Sequence, residues 1–238
     1  MKKTVFIFSV IFFLFTIVAS TAEDSTEEKR GFFNMFSKPF ISIEGGVSLW
    51  TIDTGGLNKE AGVENSGSDD GSSEMFGLNI GTRINKAQIS LGLMQVGEFS
   101  STTQGVEGPA LDTEKYNIFA ETKITAGVLS LSYDFISLDK ITISLLGGVG
   151  ISGIDLEATD SIWNSESDQS EFFWQLGAGV EYKISSAISF GLLYNYSDFG
   201  TLESDLMFLD NPEIIGDVGT FSSEYTTHNF KISLKYNF

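Results

Sequence analysis

From about residue 39 to its end the chain alternates apolar and polar positions with period two, and no stretch keeps a convincing helical period. The clearest case is 172–184, where Phe172, Trp174, Leu176, Ala178, Val180, Tyr182 and Ile184 share one face and Phe173, Gln175, Gly177, Gly179, Glu181 and Lys183 the other. After the short link Ser185-Ser186-Ala187, the next run puts Ile188, Phe190, Leu192, Tyr194 and Tyr196 on one face, so the two runs read as a hairpin. The same pattern predicts strands near 40–50, 76–85, 87–97, 123–135, 141–153 and 228–238, eight in all. In the fourth, Ile124, Ala126 and Val128 alternate in one phase and Leu129, Leu131, Tyr133 and Phe135 in the other. A bulge beside Gly127 is the expected reconciliation.

Connections strictly alternate in length. Those around Lys86, at 136–140 and at 185–187 are short, whereas 51–75, 98–122, 154–171 and 199–227 are long and polar. All short turns therefore lie at one end of the sheet and all long loops at the other. Alternation alone is shared by lipocalin-like soluble barrels, which turn the apolar face inward. Strand length, aromatic residues near both ends of the apolar face, and a polar, glycine-rich opposite face favour a membrane, which a tilted strand crosses in about 9–11 residues. Phe76, Phe172, Trp174 and Tyr196 fall toward the long-loop end, and Tyr133, Phe135, Tyr182, Tyr236 and Phe238 toward the short-turn end. In hydrocarbon every backbone polar group must be paired, so the strands must close on themselves. The expected fold is all-β: an eight-stranded antiparallel transmembrane barrel in an up-and-down meander over 39–238, with both chain ends at the short-turn, periplasmic side.

The N-terminus changes the picture of where this happens. Met1-Lys2-Lys3 precedes 15 uncharged residues, Val5 to Ala19, followed by Ser20 and Ala22 at −3 and −1 of a cut before Glu23. This pattern predicts a signal peptide over 1–22 rather than a permanent anchor, then a periplasmic extension over 23–38. The 32 Asp plus Glu against 14 Lys plus Arg would repel nucleic-acid phosphates, so nucleic acid is not an expected partner. With no Cys there is neither a disulfide scaffold nor a thiolate metal site, and no cofactor is expected.

Charged residues on the lumen face are the first candidate site: Glu44, Arg83, Asp134, Glu181, Lys183, Lys231 and Lys235. An eight-stranded barrel has only enough interior for its own side chains, so the expectation is a paired structural plug rather than an ion path. All seven fall in the short-turn half, which leaves the outer half of the lumen expected to be open to water. Gly148-Val149-Gly150-Ile151-Ser152-Gly153 fits a dinucleotide-binding glycine pattern, but no helix follows it. These glycines read as barrel wall. His228 is the only histidine and has Phe230 two residues on, which argues against a hydrolytic site and for a non-enzymatic protein. The long connections, the last counted from Asp198, hold 24 of the 32 acids with only Lys59 and Lys115 as bases. A solvated surface is the plain reading; contact with a basic partner or bridging by divalent cations is the sharper one. No calcium-loop spacing is present, so no metal site is assigned.

The last residues, with Phe230, Ile232, Leu234, Tyr236 and Phe238 at alternate places, resemble the terminal strand of bacterial outer-membrane barrels. The runs 177–183 and 193–200 are similar to the sixth and seventh strands of the small family that includes opacity proteins and the membrane part of OmpA-type proteins. The resemblance implies an outer-membrane location, recognition of the terminal strand by the barrel-assembly machinery, and contact with outer-membrane lipid and lipopolysaccharide. It implies no active site, and no peptidoglycan-binding domain is expected after the barrel. The expected role is a structural or adhesin-like surface barrel whose loops meet a host or envelope protein. The alternative is a narrow pore or a small-solute or lipid transporter.

Overall fold

The computed structural model describes residues 38–55, 67–107, 114–159, 163–205, 207–208 and 220–238. The expected signal peptide and nearly all of the extension after it lie outside the described residues. The elements are β1 (Pro39–Gly55), β2 (Gly67–Ile84), β3 (Ala87–Glu107), β4 (Glu114–Ser137), β5 (Ile141–Thr159), β6 (Trp163–Lys183), β7 (Ile188–Asp205), β8 (Met207–Phe208) and β9 (Thr220–Asn237). The eight long strands pair antiparallel with their sequence neighbours, β9 lies between β7 and β1, and the ring is complete. Beside it, the two-residue β8 adds to β6. The seam is tied at its base, where Phe238 N donates to Pro39 O (3.0 Å) and Asn237 N to Ala187 O (2.7 Å).

The short turns follow from their residues. Asn85 supplies a positive φ of 56° in the Asn85-Lys86 reversal, a conformation its short polar side chain tolerates. At 184–187, Ser185 Oγ accepts from the backbone of Ala187 (3.2 Å) and Ile188 (3.0 Å), holding the turn.

Strands of 17 to 24 residues are about twice what a bilayer needs. Much of what reads as polar loop in the sequence is therefore strand: Asp53, Asp69, Asp70, Glu74, Asp155 and Glu224 all sit in regular pairings. The outward face explains where the membrane stops. Ile43, Phe76, Leu131, Leu145, Leu176, Leu192 and Ile232 are each more than half exposed, or close to it, in a continuous apolar band. Immediately beyond it the outward positions become Asp53, Glu74, Glu121, Asp155, Asp198 and Glu224. The band is lipid-facing, and the carboxylates mark the change to water.

No bulge occurs at Gly127. Its pairings with β3 and β5 run without a shift, so Ile124, Ala126 and Val128 face the interior and Leu129, Leu131 and Tyr133 face out. The two apparent phases are the two faces of one strand. Shifts occur instead at Asp134/Ile136 in β4, Val96/Phe99 in β3 and Asp198/Thr201 in β7.

The last two shifts reshape the barrel. β2 and β3 pair only up to Met75 and Val96, and β6 and β7 only up to Trp174 and Asp198. Each separation coincides with a bulge, β3 turning at Gly97 and β7 at Gly200, whose φ of 76° suits glycine. A bulge bends its strand and increases its twist, so each bulged strand leaves its neighbour. Above that height the wall continues as two four-stranded leaves, β2–β1–β9–β7 and β3–β4–β5–β6.

Candidate functional site

Three layers fill the lumen. At the short-turn end Arg83 bridges Asp134 (3.2 Å) and Glu181 (3.4 Å), and Lys235 pairs with the other oxygen of Glu181. Gln88 ties the group together, donating to Asp134 (3.2 Å) and accepting from Lys235 (2.9 Å). Lys235 also lies over the Phe40 ring at 4.8 Å. One step higher, Lys231 pairs with Glu44 at 2.8 Å, both side chains being largely buried. The structure thus gathers six of the seven charges read from the sequence into two groups. Lys183 stands apart: it is exposed at the rim and makes no ion pair among the described residues.

A neutral polar layer comes next. Gln175 donates to Ser130 (3.2 Å) and accepts from Asn195 (3.1 Å), while Asn195 and Asn229 both donate to Ser197. A cavity of about 100 Å³, bordered by Glu44, Asn79, Gln88, Ser130, Gln175 and Lys231, lies alongside the ion pairs and this layer. At about 30 Å³ per water it has room for a few molecules, not for a continuous column.

The third layer is apolar, and it overturns the expectation of a wet outer lumen. Trp50, Ile52, Met75, Met94, Val96, Ile124, Ala126, Val128, Ile154, Phe173, Phe199 and Tyr225 form one buried cluster, contributed by every long strand. Phe173 and Phe199 stack with centroids 5.0 Å apart. The separation of the wall into two leaves accounts for it: the leaves face each other across a flattened interior that apolar side chains fill as in a β-sandwich. Glycines make the space. A methyl group on Gly150 would overlap the Phe173 ring and the Gly127 carbonyl. Burial pushes the Tyr225 phenol above its usual range, against the opposing effect of its hydrogen bond with the Thr122 hydroxyl (3.4 Å). The apolar layer was missed in the sequence because its residues occupy the face that elsewhere carries charges. The second phase at Ile124, Ala126 and Val128 was its one visible trace.

The remaining sequence candidates lie on the outside. Phe230, Ile232, Leu234, Tyr236 and Phe238 all point outward and are about half exposed or more. His228 also faces away from the lumen, its Nδ1 2.8 Å from the Tyr194 hydroxyl and its ring against Tyr196. Gly148 to Gly153 are β5 wall. Among the described residues no group of three or more His, Cys, Asp or Glu is placed to hold a metal.

The model of the outer membrane protein beta-barrel domain matches residues 16–238. The chain belongs to this family. As a member of it, the protein is an outer-membrane barrel, and the apolar band is its membrane-spanning belt. Among solved structures it is similar to the outer membrane protease OmpT of Escherichia coli, with a TM-score of 0.53 and 10% identity over 85% of this chain and 97% of that one. It is similar to the same degree to the outer membrane protein OprG of Pseudomonas aeruginosa, with a TM-score of 0.53 and 16% identity over 84% and 95%. At such identities the likeness is one of fold. Among curated proteins none matches.

Proposed function

We propose that this barrel is a non-enzymatic surface protein with a structural or adhesin-like role, closed to solutes, whose contacts are made by the acidic strand extensions and loops outside the membrane. One observation carries the reading: the lumen is filled at two separate heights, by ion pairs below and by apolar side chains above. A water-filled path would have to break both. The non-enzymatic half rests on His228, which faces lipid beside tyrosines rather than a nucleophile or a carboxylate. The signal peptide delivers the chain for export, and the outward aromatic positions of β9 through Phe238 serve as the assembly signal.

Two measurements test this. In planar lipid bilayers the purified protein is expected to give no steady conductance; stable channels would overturn the closed-lumen reading. Deleting 209–219, which lie between β8 and β9, is expected to leave a barrel that still shows heat-dependent mobility in SDS gels while lowering attachment of intact cells to basic surfaces such as polylysine. Unchanged attachment would remove this segment from the proposed contact surface.

A further inference from the structure

Among the described residues, the separation of β2 from β3 leaves the β2 edge without a strand partner outside the membrane. Arg83 N donates to Lys38 O on the β1 side, and β2 pairs with β1 without a shift from Thr82 to Gly67. Alternation along a strand then directs the backbone N–H and C=O of Ser68, Asp70, Ser72 and Glu74 toward β3. Pairing with β3, however, ends at Met75. The edge is real enough that a side chain has taken one of its donors: Asp70 N is bonded to Asp69 Oδ1 at 2.9 Å. On the opposite side of the barrel, the corresponding opening between β6 and β7 receives a strand from the chain itself, Met207–Phe208 pairing with Trp163–Asn164.

We propose that the 67–74 edge of β2 is a docking site for an extended basic peptide segment of a partner protein, bound by strand addition. This rests on the surface-contact reading above and names the partner's chemistry. The outward side chains of the edge are Ser68, Asp70, Ser72 and Glu74, with Asp53 of β1 directly beside Ser68. An added strand therefore places its outward residues opposite carboxylates, where Lys or Arg is favoured. Its inward residues meet Asp69, Gly71 and Ser73, with the Trp50 ring covering Gly71: a surface of small groups and one ring, whose single carboxylate already accepts from the Asp70 amide. The matching ligand alternates basic and apolar residues. The backbone bonds supply affinity and the alternation supplies register.

The test uses the full-length barrel in lipid nanodiscs and a synthetic octapeptide of four Lys-Val repeats with blocked ends. Its control is the same peptide N-methylated at alternate residues, which keeps the charge and removes the donors along one edge. The parent peptide is expected to bind, to slow hydrogen exchange at Ser68, Ser72 and Glu74, and to bind at least about tenfold more tightly than the methylated form. Ser72→Pro is expected to weaken binding to a similar extent while keeping heat-dependent mobility, because the N–H it removes points away from β1. Equal binding of the methylated peptide, unchanged binding by Ser72→Pro, or no binding of the parent each overturns strand addition. Those results leave the surface-contact reading standing as long as the 209–219 deletion lowers attachment. Conductance in bilayers would refute the closed-lumen reading and not this one.

Discussion

Glu181→Ala is expected to destabilise the barrel by about 3 kcal/mol, at the lower end of what removing one partner from a buried ion pair costs. Glu181 serves two cations at once, Arg83 at 3.4 Å and Lys235, and both are mostly buried. Without it, Arg83 keeps Asp134 but Lys235 keeps only the Gln88 oxygen at 2.9 Å. A charge is then left underneath an apolar layer with little water to solvate it. The cavity bordered by Gln88 and Lys231 admits a few waters and moderates the penalty, hence the lower end of the range. The measurement is urea unfolding in lipid vesicles, followed by tryptophan fluorescence and heat-dependent mobility. Lys183→Ala, at the exposed rim, should shift the midpoint by less than about 0.5 kcal/mol. In a double-mutant cycle, Glu181→Ala with Lys235→Ala should cost clearly less than the sum of the two, since removing both ends leaves no orphaned charge. Additive costs would show that the pair contributes nothing as a pair.

The second large effect is expected at Phe173. Its ring is fully buried, stacked on Phe199 and seated over Gly150, so Phe173→Ala removes a large apolar side chain from a site that strand pairing prevents from collapsing. The expected loss is about 3–5 kcal/mol in the same unfolding assay. Phe172→Ala makes an informative comparison. That neighbour points outward and is 64% exposed, so its removal forfeits contact with the surroundings rather than packing, and a much smaller loss is expected. Equal losses at the two positions would contradict the assignment of faces. Neither Glu181→Ala nor Phe173→Ala alone should make the protein conduct, because each leaves the other layer in place. The combined variant is the one expected to open.

The architecture was legible in the chain wherever one strand could be read by itself. Phe172 to Ile184 against Phe173 to Lys183 assigns outward and inward faces from side-chain period alone, and the structure keeps that assignment. Alternating short and long connections placed the turns at one end, and Asn85-Lys86 and Ser185-Ser186-Ala187 are local chemistry that needs no tertiary context. The charges gathered in the lumen could likewise be recognised, since a charge on the inward face of a narrow barrel has few places to go.

What the sequence could not supply was height. The pairing register between strands determines which inward residues meet, and register depends on contacts far apart along the chain. Trp50, Met75, Met94, Ile124, Ile154, Phe173 and Phe199 come from seven strands, and only pairing brings them to one level and makes them a layer. In the sequence each is an isolated apolar residue on a face that also bears Glu44, Arg83 or Glu181. The strand ends were underestimated for a related reason. Asp69, Asp70 and Glu74 have poor strand propensity and read as loop, yet backbone pairing with β1 carries them through. The two openings in the wall lie furthest from sequence reading, because they arise where bulges at Gly97 and Gly200 turn strands away from their neighbours. The sequence by itself determined that the chain closes into a membrane barrel and, β4 apart, which side of the strands faces lipid, because side-chain period is local. Tertiary structure alone decided that ion pairs and apolar side chains occupy the lumen at two heights and that the wall parts above the membrane, because both depend on how far each strand is displaced along the next.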